Sequence, residues 1–171
     1  MTGSKSAVFL SYASEDSEAA LRICTTLRAA GIEVWFDQSE LRGGDAWDQE
    51  IRREIRECAL FMPIISANTQ ARSEGYFRLE WKLAVERTRL MSDRVPFLVP
   101  VAIDDIRDHN ADVPEAFRAV QWTHLPADET GTSFTERVAQ LAARDPSLAQ
   151  ESGAVASRTP SHSRQSPNGA A

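Results

Sequence analysis

Short apolar runs alternate along this chain with segments whose apolar residues recur at helical spacing. Ala7 to Tyr12 (AVFLSY) is one such run, and the Ser14-Glu15-Asp16 that follows predicts a buried strand handing over to a capped helix. Apolar residues return at Ala20, Ile23, Cys24 and Leu27, an i, i+3, i+4, i+7 face, until Gly31 supplies a stop. Ile32 to Phe36 (IEVWF) predicts a second strand. Asp37 to Gly44 reads as a polar loop ending in Gly43-Gly44, and Asp45 as the N-cap of a helix buried through Trp47, Ile51, Ile55 and Cys58. Ala59 to Ile65 (ALFMPII) is almost wholly apolar, as a central strand covered on both faces requires, and Pro63 within it must fall where a backbone donor can be spared. After a loop over Ser66 to Ser73, a third helix carries Phe77, Trp81, Ala84, Val85 and Thr88 along one stripe. Val95 to Ile103 predicts a fourth strand, Asp104 to Pro114 an acidic loop, and Val120 to Leu125 a short fifth strand. Ser133 to Ala143 closes the series as a helix with Phe134, Val138 and Leu141 inward.

Alternating strands and helices with apolar strands imply a mainly parallel sheet, helices on both faces and right-handed crossovers. The expected fold class is therefore α/β, a flavodoxin-like five-stranded parallel sheet in the order 2-1-3-4-5. One domain over 6–145 accounts for these elements. Residues 146–171 contain no aromatic side chain and are rich in Ser, Ala and Pro, so they are expected to be a disordered tail or a linker to a further module.

Composition narrows the partners. With 25 Asp plus Glu against 19 Lys plus Arg, the net charge of −6 repels a phosphate backbone, which disfavours nucleic acid. Cys24 and Cys58 are isolated on apolar helical positions, neither a disulfide framework nor zinc-ligand spacing. Met1 to Ser6 lacks the basic start and apolar core of a signal peptide, and Val95 to Ile103 is broken by Pro96 and Pro100 and far shorter than the roughly 20 residues that span a bilayer. A cytoplasmic protein with no membrane partner is the expectation.

In an open parallel sheet, ligands bind outside the carboxyl ends of the strands where the strand order reverses, here between strands one and three. The loops bordering that crevice are Ser11-Tyr12-Ala13-Ser14 and Ser66 to Ser73, with Asp37 to Asp45 alongside. A phosphorelay receiver would need an acidic pair after strand one and an Asp after strand three, where this chain has Ser11-Tyr12 and Ser66. A flavodoxin phosphate loop is disfavoured by Glu15, Asp16 and Glu18 crowding the first helix N-terminus. Gly43-Gly44 precedes Asp45, so it is not a P-loop. The Asp104-Asp105-Ile106-Arg107-Asp108-His109 stretch reads as a solvated acidic loop, with no metal expected.

The residues that remain resemble one family. Ala7-Val8-Phe9-Leu10-Ser11-Tyr12-Ala13-Ser14-Glu15-Asp16 looks like the first-strand signature of Toll/interleukin receptor (TIR) domains. Val34-Trp35-Phe36-Asp37 followed by Leu41-Arg42-Gly43-Gly44-Asp45-Ala46-Trp47 is similar to that family's second strand and its BB loop, here residues 37–45. Phe61-Met62-Pro63-Ile64-Ile65-Ser66 and Tyr76-Phe77-Arg78-Leu79-Glu80-Trp81 resemble its third strand and third helix in the bacterial form. Together these motifs cover Ser6 to about Ala143.

The resemblance implies one of two jobs. Many TIR domains are noncatalytic scaffolds for homotypic protein contact. Many bacterial and plant members and one animal branch cleave NAD+ between nicotinamide and ribose, giving nicotinamide and linear or cyclised ADP-ribose. In that branch the catalytic residue is a Glu on the third helix, four residues after an aromatic that is often Trp; Tyr76 to Glu80 has the spacing with Tyr in its place. The residues also single out Glu80 on their own. Its i±3 and i±4 neighbours are Phe77, Leu83, Tyr76 and Ala84, none cationic, whereas Glu74 has Arg78 and Glu86 has Lys82 and Arg89. A carboxylate among aromatic and apolar groups beside a ligand crevice is a candidate functional group.

The catalytic reading assigns Glu80 to the reaction, Tyr76 and Trp47 to ring contacts, and Ser11, Arg42 and the Gly43-Gly44 backbone to ribose and phosphates; Tyr12, Asp37 and Leu41 complete the expected substrate-binding set. Trp35, Phe77 and Trp81 are assigned to the core. NAD+ is then a substrate, and no cofactor is expected. By resemblance the active form is a self-assembly through the BB loop, in bacterial immune or cell-death signalling, with a sensor module expected beyond the tail. Nonenzymatic binding of a nucleotide signal is the third alternative.

Overall fold

The computed structural model of the 171-residue chain describes residues 7–36, 44–125 and 131–143. Its strands are β1 (Val8–Ser11), β2 (Val34–Trp35), β3 (Leu60–Ile65), β4 (Val101–Ala102) and β5 (Thr123–His124). They form one parallel sheet in the order β2-β1-β3-β4-β5, the expected topology. Helices α1 (Ser17–Ala29), α2 (Asp45–Glu57), α3 (Ala67–Ala71), α4 (Tyr76–Thr88), α5 (Glu115–Arg118) and α6 (Thr132–Ala142) cover both faces.

The two faces of the sheet carry different cores because strand side chains alternate. Val8, Leu10, Leu60, Met62 and Ile64 pack with Ile23 and Leu27 of α1 and Phe134 and Val138 of α6. Phe9, Phe61 and Ile65 pack with Ile51 and Ile55 of α2, Phe77 and Trp81 of α4, and Phe117 of α5. Burying one such side chain is worth about 1.5–3 kcal/mol, so β1 and β3, buried at every position, dominate the core.

Proline explains the largest departure from the sequence expectation. Phe61 and Ile65 both bond toward the β4 segment: Phe61 N donates to Phe97 O at 2.7 Å, Val99 N to Phe61 O at 2.9 Å and Ile103 N to Ile65 O at 3.2 Å. Pro63 lies between them, facing the same side without a donor. Pairing over Val95 to Ile103 is accordingly reduced to Val101–Ala102 plus an isolated bridge from Phe61 to Leu98.

Helix ends follow local chemistry. At the end of α1, Gly31 sits at φ +82, Gly31 N donates to Arg28 O and Ile32 N to Leu27 O, both at 3.0 Å. That is a Schellman motif, the stop expected of this glycine. Asp45 is the first residue of α2 rather than its N-cap, a place taken by Gly44. The polar run after β3 contains α3, which Ser66 caps through a reciprocal box with Thr69. Sequence periodicity had no means of finding so short a helix, nor the four-residue α5.

Arg87 ties α4 to the end of α2: its Nη1 donates to Ile55 O at 2.7 Å and Cys58 O at 2.6 Å, and its guanidinium lies 4.4 Å from the Phe97 ring centroid. Both cysteines are free and buried, and burial pushes the Cys58 thiol up to about 12. Among the described residues, no helix is long and apolar enough to cross a membrane.

One buried charge opposes this packing. Glu54 on α2 is buried, and its removal from water raises its carboxyl above the ordinary 4.5, although Arg53 at 3.6 Å pulls the other way. A carboxyl whose folded value is raised costs nothing while both folded and unfolded chains hold the proton, and it destabilises the fold as pH rises through the folded value. Glu54→Gln is therefore expected to raise the thermal midpoint at pH 7, with the gain vanishing below pH 4.5. Paired melts across that window check it, and a gain that persists at low pH would point to a packing effect instead.

Candidate active site

Ser11 ends β1, and the alternation that turns Leu10 toward α1 turns Ser11 with Phe9 toward α4. The Ser11 hydroxyl donates to Glu80 Oε2 at 2.5 Å, joining residues 69 apart in sequence. Ser11 is fully buried and Glu80 half-buried. Phe77, Trp81 and Ala84 form the inward stripe of α4, so Tyr76 and Glu80, one turn apart, share a neighbouring face. Phe77 and Trp81 lock that face by an edge-to-face contact at 5.2 Å, and Trp81 meets Phe117 the same way at 5.4 Å. Tyr76 is exposed at the first helical position.

The remaining expected site residues fall differently. Tyr12 points to the opposite face of the sheet from Ser11, stacked on Phe36 at 5.2 Å. Trp47 is half-buried and ends a ladder of rings: Phe61 to Phe9 at 5.4 Å, Phe9 to Trp35 at 4.5 Å and Trp35 to Trp47 at 5.9 Å. Its packing role is thus visible, and Trp35, Phe77 and Trp81 are packed as the sequence reading had them. Gly44 is exposed at the N-cap of α2 with φ +146. Asp37, Leu41, Arg42 and Gly43 lie outside the described residues.

A polar knot that sequence reasoning missed holds the loops around this site. Asp16, the last residue of the Ser14-Glu15-Asp16 run expected to lead into a capped helix, stands at the N-cap of α1 and makes no side-chain cap bond. Its buried carboxylate instead accepts from the Ser66 hydroxyl and, at 2.7 Å, from Asn68 Nδ2, linking the turn after β1 to the turn after β3. Arg72 reaches back to Ser14 Oγ and Glu15 Oε2, both at 3.3 Å. Its charge adds to a backbone hydrogen bond that holds the Glu15 carboxyl below its ordinary range. Arg78 donates to Thr69 O at 2.8 Å, Arg72 O at 3.0 Å and Asp112 O at 3.0 Å, and stacks over Phe77 and Trp81 at 5.2 and 5.1 Å. Its ion pair with Asp112 is 82% exposed on the acid side and contributes little; the three carbonyls carry the restraint. The only sequence signal was an arginine one residue beyond the aromatic stripe, which solvent exposure would have explained equally well.

The acidic loop after β4 is engaged in the same scaffold. Asp104 Oδ2 accepts from Ala67 N at 2.7 Å, and Asp108 Oδ1 accepts from the backbone N of His109 at 2.9 Å. Among the described residues, no group of three or more His, Cys, Asp or Glu side chains is arranged to hold a metal ion.

The architecture defines a doubly wound α/β domain with a carboxylate poised at its topological switch point. A TIR domain family profile matches residues 8–142, and the chain belongs to the TIR domain family. Among characterised relatives, it is 32% identical over 75 residues to the NAD(+) hydrolase PdTIR of Paracoccus denitrificans (strain Pd 1222), covering 43% of this chain and 23% of that one. It is 30% identical over 80 residues to the 2' cyclic ADP-D-ribose synthase AbTIR of Acinetobacter baumannii (strain 1295743), covering 46% and 30%. The chain thus spans less than a third of the length of either relative. Solved structures agree on the fold. A metazoan TIR-STING receptor from C. gigas in complex with 2',3'-cGAMP aligns with a TM-score of 0.56 at 19% identity, over 79% of this chain and 38% of that one. The TIR domains of the activated Roq1 resistosome align with a TM-score of 0.51 at 20% identity, over 81% and 84%.

Gly75, the N-cap of α4, is a second element that the sequence reading passed over. Its φ is +155, and a Cβ there would lie 2.9 Å from Phe77 Cε1 and 3.2 Å from Arg72 Nη2. Gly75→Ala is expected to cost about 1–3 kcal/mol, visible in denaturant unfolding, because backbone strain and the Phe77 clash act together. A neutral effect would show that the entry to α4 has another conformation open to it.

Proposed function

We propose that this chain is an NAD+ glycohydrolase that cleaves the bond between nicotinamide and ribose. The observation that carries the reading is the Glu80 carboxylate, hydrogen-bonded by the buried Ser11 hydroxyl at the end of β1 beside β3, with Tyr76 one turn before it. The bacterial relatives named for NAD+ hydrolysis and cyclic ADP-ribose synthesis support it.

One carboxylate suffices for this chemistry. Ordinary glycosidases use two, because a poor oxygen leaving group must be protonated while positive charge develops on the sugar. Nicotinamide in NAD+ is a cationic pyridinium. When the bond from its ring nitrogen to the ribose anomeric carbon breaks, the electron pair returns to the ring, and it departs neutral without a proton donor. What remains is to stabilise the oxocarbenium-like sugar, and an ionised Glu80 beside the anomeric carbon supplies that electrostatically. Water attack then gives ADP-ribose and releases a proton; attack by a hydroxyl of the same nucleotide gives a cyclised product. Tyr76, exposed at the first position of α4 one turn before Glu80, offers a ring face to nicotinamide or adenine.

The active form in this proposal is a homotypic assembly in which residues 37–45 of one copy dock on the next, in bacterial immune or cell-death signalling. Gly44 belongs to that segment and is the N-cap of α2, at φ +146.

Glu80→Gln, which keeps an acceptor for Ser11, is expected to reduce nicotinamide release from NAD+ by about 100-fold or more. It should change folding stability by less than about 1 kcal/mol. Chromatography of the nucleotide product and a parallel melt check both halves; full turnover by the variant would remove Glu80 from the mechanism. Wild-type protein that stays inactive even when concentrated or tethered would favour a noncatalytic scaffold. Leu41→Ala or Gly44→Ala should lower the activity recovered by tethering, and unaffected turnover would count against assembly through this loop.

A further inference from the structure

We infer that Ser11 is the positioning residue of this site, holding the Glu80 carboxylate in place without touching substrate itself. The inference deepens the glycohydrolase reading and rests on it. The sequence alone placed Ser11 among the groups that grip ribose or phosphate. The structure leaves it no surface for that: its exposure is 0%, and its hydroxyl proton is directed to Glu80 Oε2 at 2.5 Å. A serine hydroxyl has one proton to donate, so while this bond stands the donor is committed.

The mechanical asymmetry of the pair shows which partner orders the other. Ser11 ends a fully buried strand, in parallel register with Pro63 of β3, and its side chain turns about one bond. Glu80 projects from a half-buried helix flank through three torsions. A hydrogen bond to a charged acceptor is stronger than a neutral one and strengthens further away from water. Ser11 is therefore the fixed point, and the bond removes rotamers from Glu80 before substrate arrives. Ordering spent in the folded enzyme is not spent again on reaching the transition state. Its loss should therefore appear in kcat rather than in substrate affinity.

The test compares the full 171-residue chain with Ser11→Ala and Ser11→Thr, tethered at high density and assayed for nicotinamide release from NAD+, with crystal structures of the same proteins. Ser11→Ala is expected to lower kcat by about 10- to 100-fold with KM within about twofold of wild type. Ser11→Thr, which keeps the hydroxyl, should recover most of the loss. In the Ser11→Ala crystal structure the Glu80 carboxylate should leave its wild-type rotamer. A raised KM at unchanged kcat would make Ser11 a substrate ligand and overturn the inference, as would wild-type turnover by Ser11→Ala. If the wild-type chain releases no nicotinamide, the glycohydrolase reading fails and the crystal structures still decide Ser11: an unmoved Glu80 carboxylate overturns its hold, and a displaced one upholds it. Should Ser11→Ala not fold, Ser11→Cys fills the site with a weaker donor and is read in the same way.

Discussion

Burial of β1 and β3 on both faces is the constraint from which the rest of this molecule follows. Neither strand has a side open to water, so a polar side chain on either one needs an internal partner or must lie at the strand's end. Ser11 closes β1 and Ser66 follows β3, and each spends its hydroxyl on a carboxylate brought in from elsewhere: Glu80 for the first, Asp16 for the second. Because the sheet is parallel and β1 and β3 are neighbours, both ends lie at the same carboxyl edge, where the order reverses between them. The demand of the core for dry strands thus concentrates the polar chemistry at one edge.

Placement of α4 converts that edge into a site. The helix is driven onto the sheet by Phe77 and Trp81 and fixed in rotation by their edge-to-face contacts with each other and with Phe117. Arg78 fixes its amino end against the carbonyls of the loop after β3 and of Asp112, and Arg87 fixes its far end against the last turn of α2. Gly75 permits the abrupt entry, since a side chain there would meet the Phe77 ring. The short Ser11 to Glu80 bond needs this rigidity, because a displacement of about 1 Å takes a hydrogen bond outside useful range.

The arrangement also accounts for how a TIR domain accommodates a proposed bond-breaking role with a single acid. A leaving group that already carries positive charge removes the need for a proton donor, so the burden falls on electrostatic placement of one anion. Placement is what the buried strand end, the aromatic anchors and the arginine knot provide. Tyr12, one residue beyond Ser11, shows how narrow that geometry is: strand alternation sends it to the other face, where it stacks on Phe36.

The strand order, the four longer helices α1, α2, α4 and α6, the parallel topology and the inward residues of α1 and α4 were legible in the sequence because they rest on periodicity, which local composition encodes directly. So was the stop at Gly31, a single-residue backbone requirement. The Tyr76 to Glu80 spacing also stood in the sequence, as did the absence of cations at helical distance from Glu80. The pairing of Ser11 with Glu80, the turn of Asp16 toward Ser66 and Asn68, and the three-carbonyl grip of Arg78 were not. Each joins residues beyond the reach of local periodicity, from 6 to 69 apart in sequence, and each residue had another reading at hand: a ligand group for Ser11, one of the acids at a helix N-terminus for Asp16, a helical partner of Glu74 for Arg78. The shortening of β4 required the same information, because Pro63 and Pro100 interrupt pairing only once their strands are neighbours. Local sequence determined which elements form and which faces they bury; tertiary structure alone decided which polar groups meet, since that depends on distances that exist only after the core has closed.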